Sequence, residues 1–280
     1  MVNSNINRRS QAILVVSFGT TYVETLTKTI ESIENRMQKA FPEFEVRRAF
    51  TSRKVIKRLA ERDGLFIDTE QEALKRLQDE GFKEVYVQPL HVIPGEEYEK
   101  VKTQVAHYKH RKAFEKISIG RPLLYYMGQE GKPDDYLIAI EALRKQLPQM
   151  GEDTAVLLMG HGGLHPANAA YALLQMKMEE MNWLKSYVYT VEGFPPLRFV
   201  IEKLIKEEIK KVLLVPFMLV AGDHALNDMI GDEEDSAKQQ LIKEGFEVSW
   251  HLCGLGEGPE IQDVYIQHLK DVMGDSSVNS

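Results

Sequence analysis

The sequence predicts an α/β protein of two similar lobes, each a parallel sheet flanked by helices, with an active-site cleft between them. Two observations carry that prediction. Short apolar runs closed by glycine or proline alternate with stretches of helical periodicity, the pattern of βαβ units. The pattern also runs twice in one order. Leu14-Val15-Val16-Ser17-Phe18-Gly19 sets against Leu157-Leu158-Met159-Gly160-His161-Gly162. Val85-Tyr86-Val87-Gln88-Pro89 with Gly95 sets against Val212-Leu213-Leu214-Val215-Pro216 with Gly222, six residues from proline to glycine in both.

The first copy opens with Ala12-Ile13-Leu14-Val15-Val16, a run apolar on both faces and closed by a glycine turn, hence a buried strand. Residues 23–40 place Leu26, Ile30, Ile33 and Met37 at helical spacing. A second strand follows at 44–50, then helices at 52–62 and 69–80, the latter closed by Gly81. A third strand at 84–90 leads into a loop holding Pro94 and Gly95, and a fourth is expected at 116–119.

The second copy has strands at 154–159, 186–191 and 211–215, helices at 165–181 and 196–209, and a last strand and helix at 246–252 and 260–273. The lobes divide as residues 1–135 and 136–280, with the join near 128–133 or 149–152. The polar tail from Gly274 to Ser280 is expected to fray.

With 280 residues, 43% hydrophobic and 28% charged, the chain can build a core without staples. The net charge of −7 argues against a general nucleic-acid binder but not against an anionic small molecule held in a local basic pocket. One cysteine, Cys253, excludes an internal disulfide and a Cys-x-x-Cys site. The N-terminus is polar, and Arg8-Arg9 is followed by an apolar run too short for a signal peptide or a membrane span, so a cytoplasmic protein is expected.

In open parallel sheets, ligands bind beyond the carboxyl ends of the strands. In the second copy three successive strands end in, or lead to, side chains able to hold a metal: His161, Glu192 and His224, spaced by 31 and 32 residues. Each gap is about one βαβ unit, so the three should reach one edge of the sheet. The first copy has Phe18, Thr51 and Glu97 in the matching places, so metal-capable chemistry sits on one side of the cleft. Two imidazoles and a carboxylate leave room for an exogenous ligand, and they suit Co, Fe, Ni, Zn or Mn without choosing among them. Gly160, Gly162 and Gly163 strip bulk from around His161. Asp223 could orient His224 or cap a helix.

Other histidines point less clearly. His165, before Pro166, reads as an end-of-loop residue. His91 either lines the cleft or packs within it. His107 and His110 read as surface residues, and His251 and His268 show no partner pattern. Gly254-x-Gly256-x-Gly258 follows a strand, but Pro259 and the lack of a later acidic residue argue against a dinucleotide loop.

Taken together, Val15-Val16-Ser17-Phe18-Gly19-Thr20-Thr21, Gln88-Pro89-Leu90-His91-Val92-Ile93-Pro94-Gly95-Glu96-Glu97-Tyr98, Met159-Gly160-His161-Gly162, Val191 to Pro196, and Val215 to Ala225 resemble the anaerobic cobalt chelatases, the sirohydrochlorin cobaltochelatases. These are class II chelatases with a ferrochelatase-like fold. The resemblance spans about residues 12–273. It implies metal ligands at His161, Glu192 and His224, with His161 also the base that accepts pyrrole protons. It implies insertion of Co²⁺ into sirohydrochlorin in anaerobic cobalamin biosynthesis, with two protons released, no ATP, and no cofactor beyond the substrate metal. Sirohydrochlorin carries eight carboxylates, which makes Arg53, Lys54 and Arg198 candidates for its rim. Phe18, Phe194 and Phe217 are candidates for its face. Iron or nickel insertion into a related tetrapyrrole, or non-catalytic binding of haem or metal, stand as alternatives. No nucleic-acid or membrane partner is expected, and homo-oligomerisation is left open.

Overall fold

A strand with apolar side chains on both faces is stable only between two covering layers. The computed structural model describes residues 10–151, 153–183 and 185–274. Arg8, Arg9, position 152 in the expected join and residues 275–280 of the tail lie outside the described residues. Among those described, eight strands form two four-stranded sheets, parallel throughout.

The first sheet holds β1 (Gln11–Ser17), β2 (Glu45–Phe50), β3 (Glu84–Pro89) and β4 (Lys116–Ile119) in the order β2-β1-β3-β4. Its connections contain α1 (Val23–Leu26), α2 (Ser32–Ala40), α3 (Arg53–Asp63), α4 (Glu70–Asp79) and α5 (Glu96–His110). After α6 (Asp135–Gln146), the second half gives β5 (Thr154–Gly162), α7 (Ala169–Glu180), β6 (Ser186–Glu192), α8 (Leu197–Lys206), β7 (Lys211–Pro216), α9 (Ala237–Lys243), β8 (Glu247–Trp250) and α10 (Pro259–Gly274). The second sheet is ordered β6-β5-β7-β8, the same topology as the first.

Two expected helices break where side chains compete with the backbone. The pattern over 23–40 is split by a π-helical turn at Thr27–Glu31. There the Thr29 hydroxyl donates to the Thr25 carbonyl at 2.5 Å and occupies an acceptor of the regular ladder. The helix expected from 165 starts instead with a 3₁₀ turn at Pro166–Asn168. His165 Nδ1 accepts the Ala167 N–H at 3.2 Å, so His165 caps that turn.

Strand alternation sorts the core into three parts. Ala12, Leu14 and Val16 face α4 and α5 on the outside of the first sheet. Ala155, Leu157 and Met159 face α8 and α9 on the outside of the second. Ile13, Val15, Val156 and Leu158 face inward, where α2, α6, α7 and α10 form one shared middle layer. α10, the last described helix, packs on β3 and β4 of the first sheet and on α2. Each Leu or Val fully buried in this way contributes about 1.5–3 kcal/mol, so the middle layer ties the two sheets together.

A buried charge cluster pins that layer. Arg121 donates to both carboxylate oxygens of Asp135, at 2.8 and 3.0 Å, and to Asp271 at 2.6 Å. Asp135 also accepts the Tyr126 N–H at 2.9 Å and lies 3.3 Å from His268 Nε2. His268 therefore has partners that its sequence surroundings did not indicate. Burial pushes the Asp135 carboxyl up, but His268, Arg121 and the Tyr126 amide hold it below the ordinary carboxylate value. Asp135→Ala should cost about 3–5 kcal/mol, because Arg121 and His268 lose a shared buried partner. Urea unfolding measures this, and an unchanged midpoint would show the cluster to be dispensable.

Candidate active site

In each sheet the chain leaves its first strand in one direction and returns on the other side, so β1 lies between β2 and β3, and β5 between β6 and β7. Loops at the carboxyl ends of such strands diverge and open a crevice. The two crevices merge into one cleft of about 730 Å³. Its first wall comes from the ends of β1 and β3 and from α3, and its second from the ends of β5, β6 and β7.

His161, Glu192 and His224 all line the second wall. The β5–β6 register sets Gly162 beside Glu192, and the β5–β7 register sets Met159 beside Pro216, from which the chain runs on to His224. The imidazoles of His161 and His224 meet edge to face, with ring centroids 4.6 Å apart at 86°. His161 Nδ1 lies 2.9 Å from the Gly162 carbonyl and, as donor, leaves Nε2 with a free lone pair. His224 Nδ1 lies 2.7 Å from Asp228 Oδ2, with the same consequence. Glu192 is exposed on the neighbouring strand end. Among the described residues no three His, Cys, Asp or Glu side chains are already gathered at metal-holding distance. Two imidazoles are assembled, and the carboxylate stands beside them.

Local chemistry explains the loops. Gly162 adopts φ +79°, and a Cβ there would lie 1.6 Å from the Glu192 carbonyl oxygen. A Cβ on Gly160 would lie 2.2 Å from the Tyr171 ring, which packs beneath the loop. Asn168 joins the two strand ends: its Oδ1 accepts the Gly163 N–H at 3.1 Å and its Nδ2 donates to the Phe194 carbonyl at 2.6 Å. Asp228 reaches His224 because residues Ala225–Met229 wind as a π-helical turn directly after it. Asp223 plays a different part from the one its sequence position suggested. It accepts the Tyr22 hydroxyl at 3.0 Å, a bond between the two walls.

On the first wall, Phe18 is 51% exposed and lines the cleft, as do Lys54 and Arg58 of α3. The other expected contacts divide. Arg53 faces a separate depression with Lys57 and Lys75. Arg198 lies over the Phe199 ring at 5.7 Å and is not in the cleft lining. Phe194 is exposed outside that lining, and Phe217 lines the cleft but is wholly buried.

His107 and His110 are exposed, as expected. The glycines at 254, 256 and 258 pack against the Leu219 and Val220 backbone and the Gln146 side chain, leaving no room for a nucleotide. His91 does line the cleft, with Glu97. Burial pushes its imidazole down to about 4, partly opposed by the Glu97 carboxylate, so the ring is neutral at physiological pH.

Sequence reasoning missed Asn168, Asp228, Arg58 and Tyr22. Asp228 carried a signal, standing four residues after His224, but only a helical turn starting at His224 makes that spacing a contact. The other three gave none.

Residues 11–274 match the family model described as cobalt chelatase (CbiK). The chain belongs to the cobalt chelatase family. Over 263 residues, 94% of this chain and 96% of the relative, it is 39% identical to a sirohydrochlorin cobaltochelatase of Salmonella typhimurium. It is 31% identical over 260 residues to the sirohydrochlorin cobaltochelatase CbiKC of Nitratidesulfovibrio vulgaris, covering 92% and 89% of the two chains. Among solved structures, SirB from Bacillus subtilis with Fe³⁺ shares the fold at a TM-score of 0.64 and 16% identity, covering 95% and 96% of the two chains. The two-lobe fold is thus that of a cobalt chelatase, a lyase by class.

Gly162→Ala should destabilise this cobalt chelatase by about 3 kcal/mol, because the new methyl meets backbone in a left-handed conformation. Chemical denaturation checks this. Wild-type stability would mean that the β5–β6 ends are looser than their register indicates.

Proposed function

We propose that this chain inserts Co²⁺ into sirohydrochlorin in anaerobic cobalamin biosynthesis, with release of two protons. The observation that carries the proposal is the His161–His224 pair, whose Nδ1 atoms are both engaged so that both Nε2 lone pairs are free. Cobalt and sirohydrochlorin come from the names of the two relatives.

In this reading the ion is a substrate, held in passing. His161, Glu192 and His224 are its protein ligands. Imidazole and carboxylate bind first-row divalent ions reversibly, which suits a metal that must be handed on. Glu192, exposed and one strand away, closes on the ion by turning its side chain and balances part of the charge. The ring must lose its inner N–H protons as the metal–nitrogen bonds form. His161 accepts one of them on Nε2 as the ion leaves that nitrogen for the ring. Asp228 holds His224 in the tautomer that offers Nε2 to the metal. Lys54 and Arg58 meet carboxylates on the substrate rim. Phe18 supplies an apolar contact for the ring. The reaction needs no nucleotide and no resident cofactor. No described helix is long and apolar enough to cross a membrane, and a cytoplasmic location is part of the proposal.

The test is spectrophotometric. Purified protein mixed with sirohydrochlorin and Co²⁺ should change the tetrapyrrole absorption spectrum well above the spontaneous rate, and no acceleration would sink the assignment. His161→Ala should lose at least about 100-fold in rate while staying folded, the scale of a general base. Full activity would remove it as base and ligand. Asp228→Ala should weaken Co²⁺ binding by about 10–100-fold, the usual consequence of losing a partner that orients a metal-bound imidazole. Calorimetry with the metal alone reads this directly, and unchanged affinity would leave Asp228 without that role.

A further inference from the structure

Metal insertion at a free tetrapyrrole releases two protons, and the second wall has one assigned base for them, His161. The first wall holds an imidazole with no assigned work. Both ring nitrogens of His91 are sealed from solvent, and neither has a hydrogen-bond partner. A buried donor and acceptor left unpaired cost about 1–3 kcal/mol each, so folded proteins rarely keep such a group without a use for it. His91 stands at the carboxyl end of β3, and its residue lines the same cleft as His161.

Its surroundings are polar as well. The Ser17 hydroxyl at the end of β1 is buried without a hydrogen-bond partner, and the Thr51 hydroxyl at the end of β2 is turned to the Glu97 carboxylate, which it helps hold below its ordinary value. The first wall therefore carries polar groups at the ends of β1, β2 and β3, with Thr51 and Glu97 in the places that correspond to Glu192 and His224 across the cleft. No described ring contact links His91 to that pair.

We propose that His91 is a second catalytic residue, its ring turning from its sealed position into the cleft and accepting the second pyrrole proton from the face of the macrocycle that is turned to the first lobe. The inference rests on the chelatase reading above. In this step a pyrrole N–H bond breaks and its electron pair stays on the pyrrole nitrogen. That pair forms the new nitrogen–metal bond, and the proton forms an N–H bond on the imidazole of His91. The proton then leaves to water as the product departs. A ring kept neutral by burial enters every cycle able to accept a proton. The nearby Glu97 carboxylate favours the imidazolium once it forms.

The experiment uses the full chain with sirohydrochlorin and Co²⁺ under single-turnover conditions, with wild type and His161→Ala as controls. His91→Gln, which keeps hydrogen-bonding groups but no base, should slow metallation by about 100-fold. Its sirohydrochlorin affinity, read by fluorescence quenching, should stay within about 2-fold of wild type. In His91→Ala, added imidazole should restore at least part of the lost rate, a response that a purely structural role would not give. His91→Leu should unfold no earlier than wild type, because it removes two unpaired polar atoms from the interior. Wild-type rates in His91→Gln would overturn the proposal, and so would a change confined to substrate affinity or an absence of imidazole rescue. An inactive wild type would instead defeat the chelatase reading, so the two failures are distinguishable.

Discussion

The parallel register of β5 with β6 and β7 is the constraint on which the site depends. A shift of one residue along β5 would move His161 away from the loop that carries His224, and in one direction it would bring the His161 side chain against the Glu192 carbonyl, where only glycine fits. The register is set by burial. Alternate side chains of β5 fill two different cores, so slippage would exchange the residues of both faces at once. Two imidazoles 4.6 Å apart are thus a consequence of packing about 10–20 Å away in the strand interiors.

Duplication supplies the cleft, and divergence supplies the chemistry. Both halves use one strand order and therefore open one kind of crevice. At matching strand ends one half has His161, Glu192 and His224, whereas the other has Phe18, Thr51 and Glu97. A flat, apolar macrocycle with a charged rim is suited by such a pair of walls, one able to take the metal and one able to hold the ring. The Tyr22–Asp223 bond crosses between the walls at an exposed position and, like other solvent-facing hydrogen bonds, contributes little to stability.

The shared middle layer explains how two lobes keep one geometry. α10 is the last described helix yet packs on the first sheet, and Asp135 of α6 binds Arg121 just after β4 while His268 and Asp271 approach from α10. A buried bidentate pair is directional, so it holds the orientation of the helices that both sheets rest on. The walls of the cleft keep their spacing because the layer behind them is common to both.

Periodicity along the chain was enough to place every strand of both sheets to within a few residues and to identify the repeat, because burial on both faces leaves a continuous apolar run that local sequence displays. It was also enough to nominate His161, Glu192 and His224, since strand ends are local features and their spacing matches a βαβ unit. Only the tertiary structure decided what depends on contacts between distant segments. It gave the orienting role to Asp228 and turned Asp223 toward Tyr22. It tied the His161 and Glu192 loops through Asn168, put Lys54 and Arg58 in the cleft in place of Arg53 and Arg198, and left His91 buried without a partner. Side-chain direction at a loop or helix end is set by neighbours far away in the chain, and no local pattern records them.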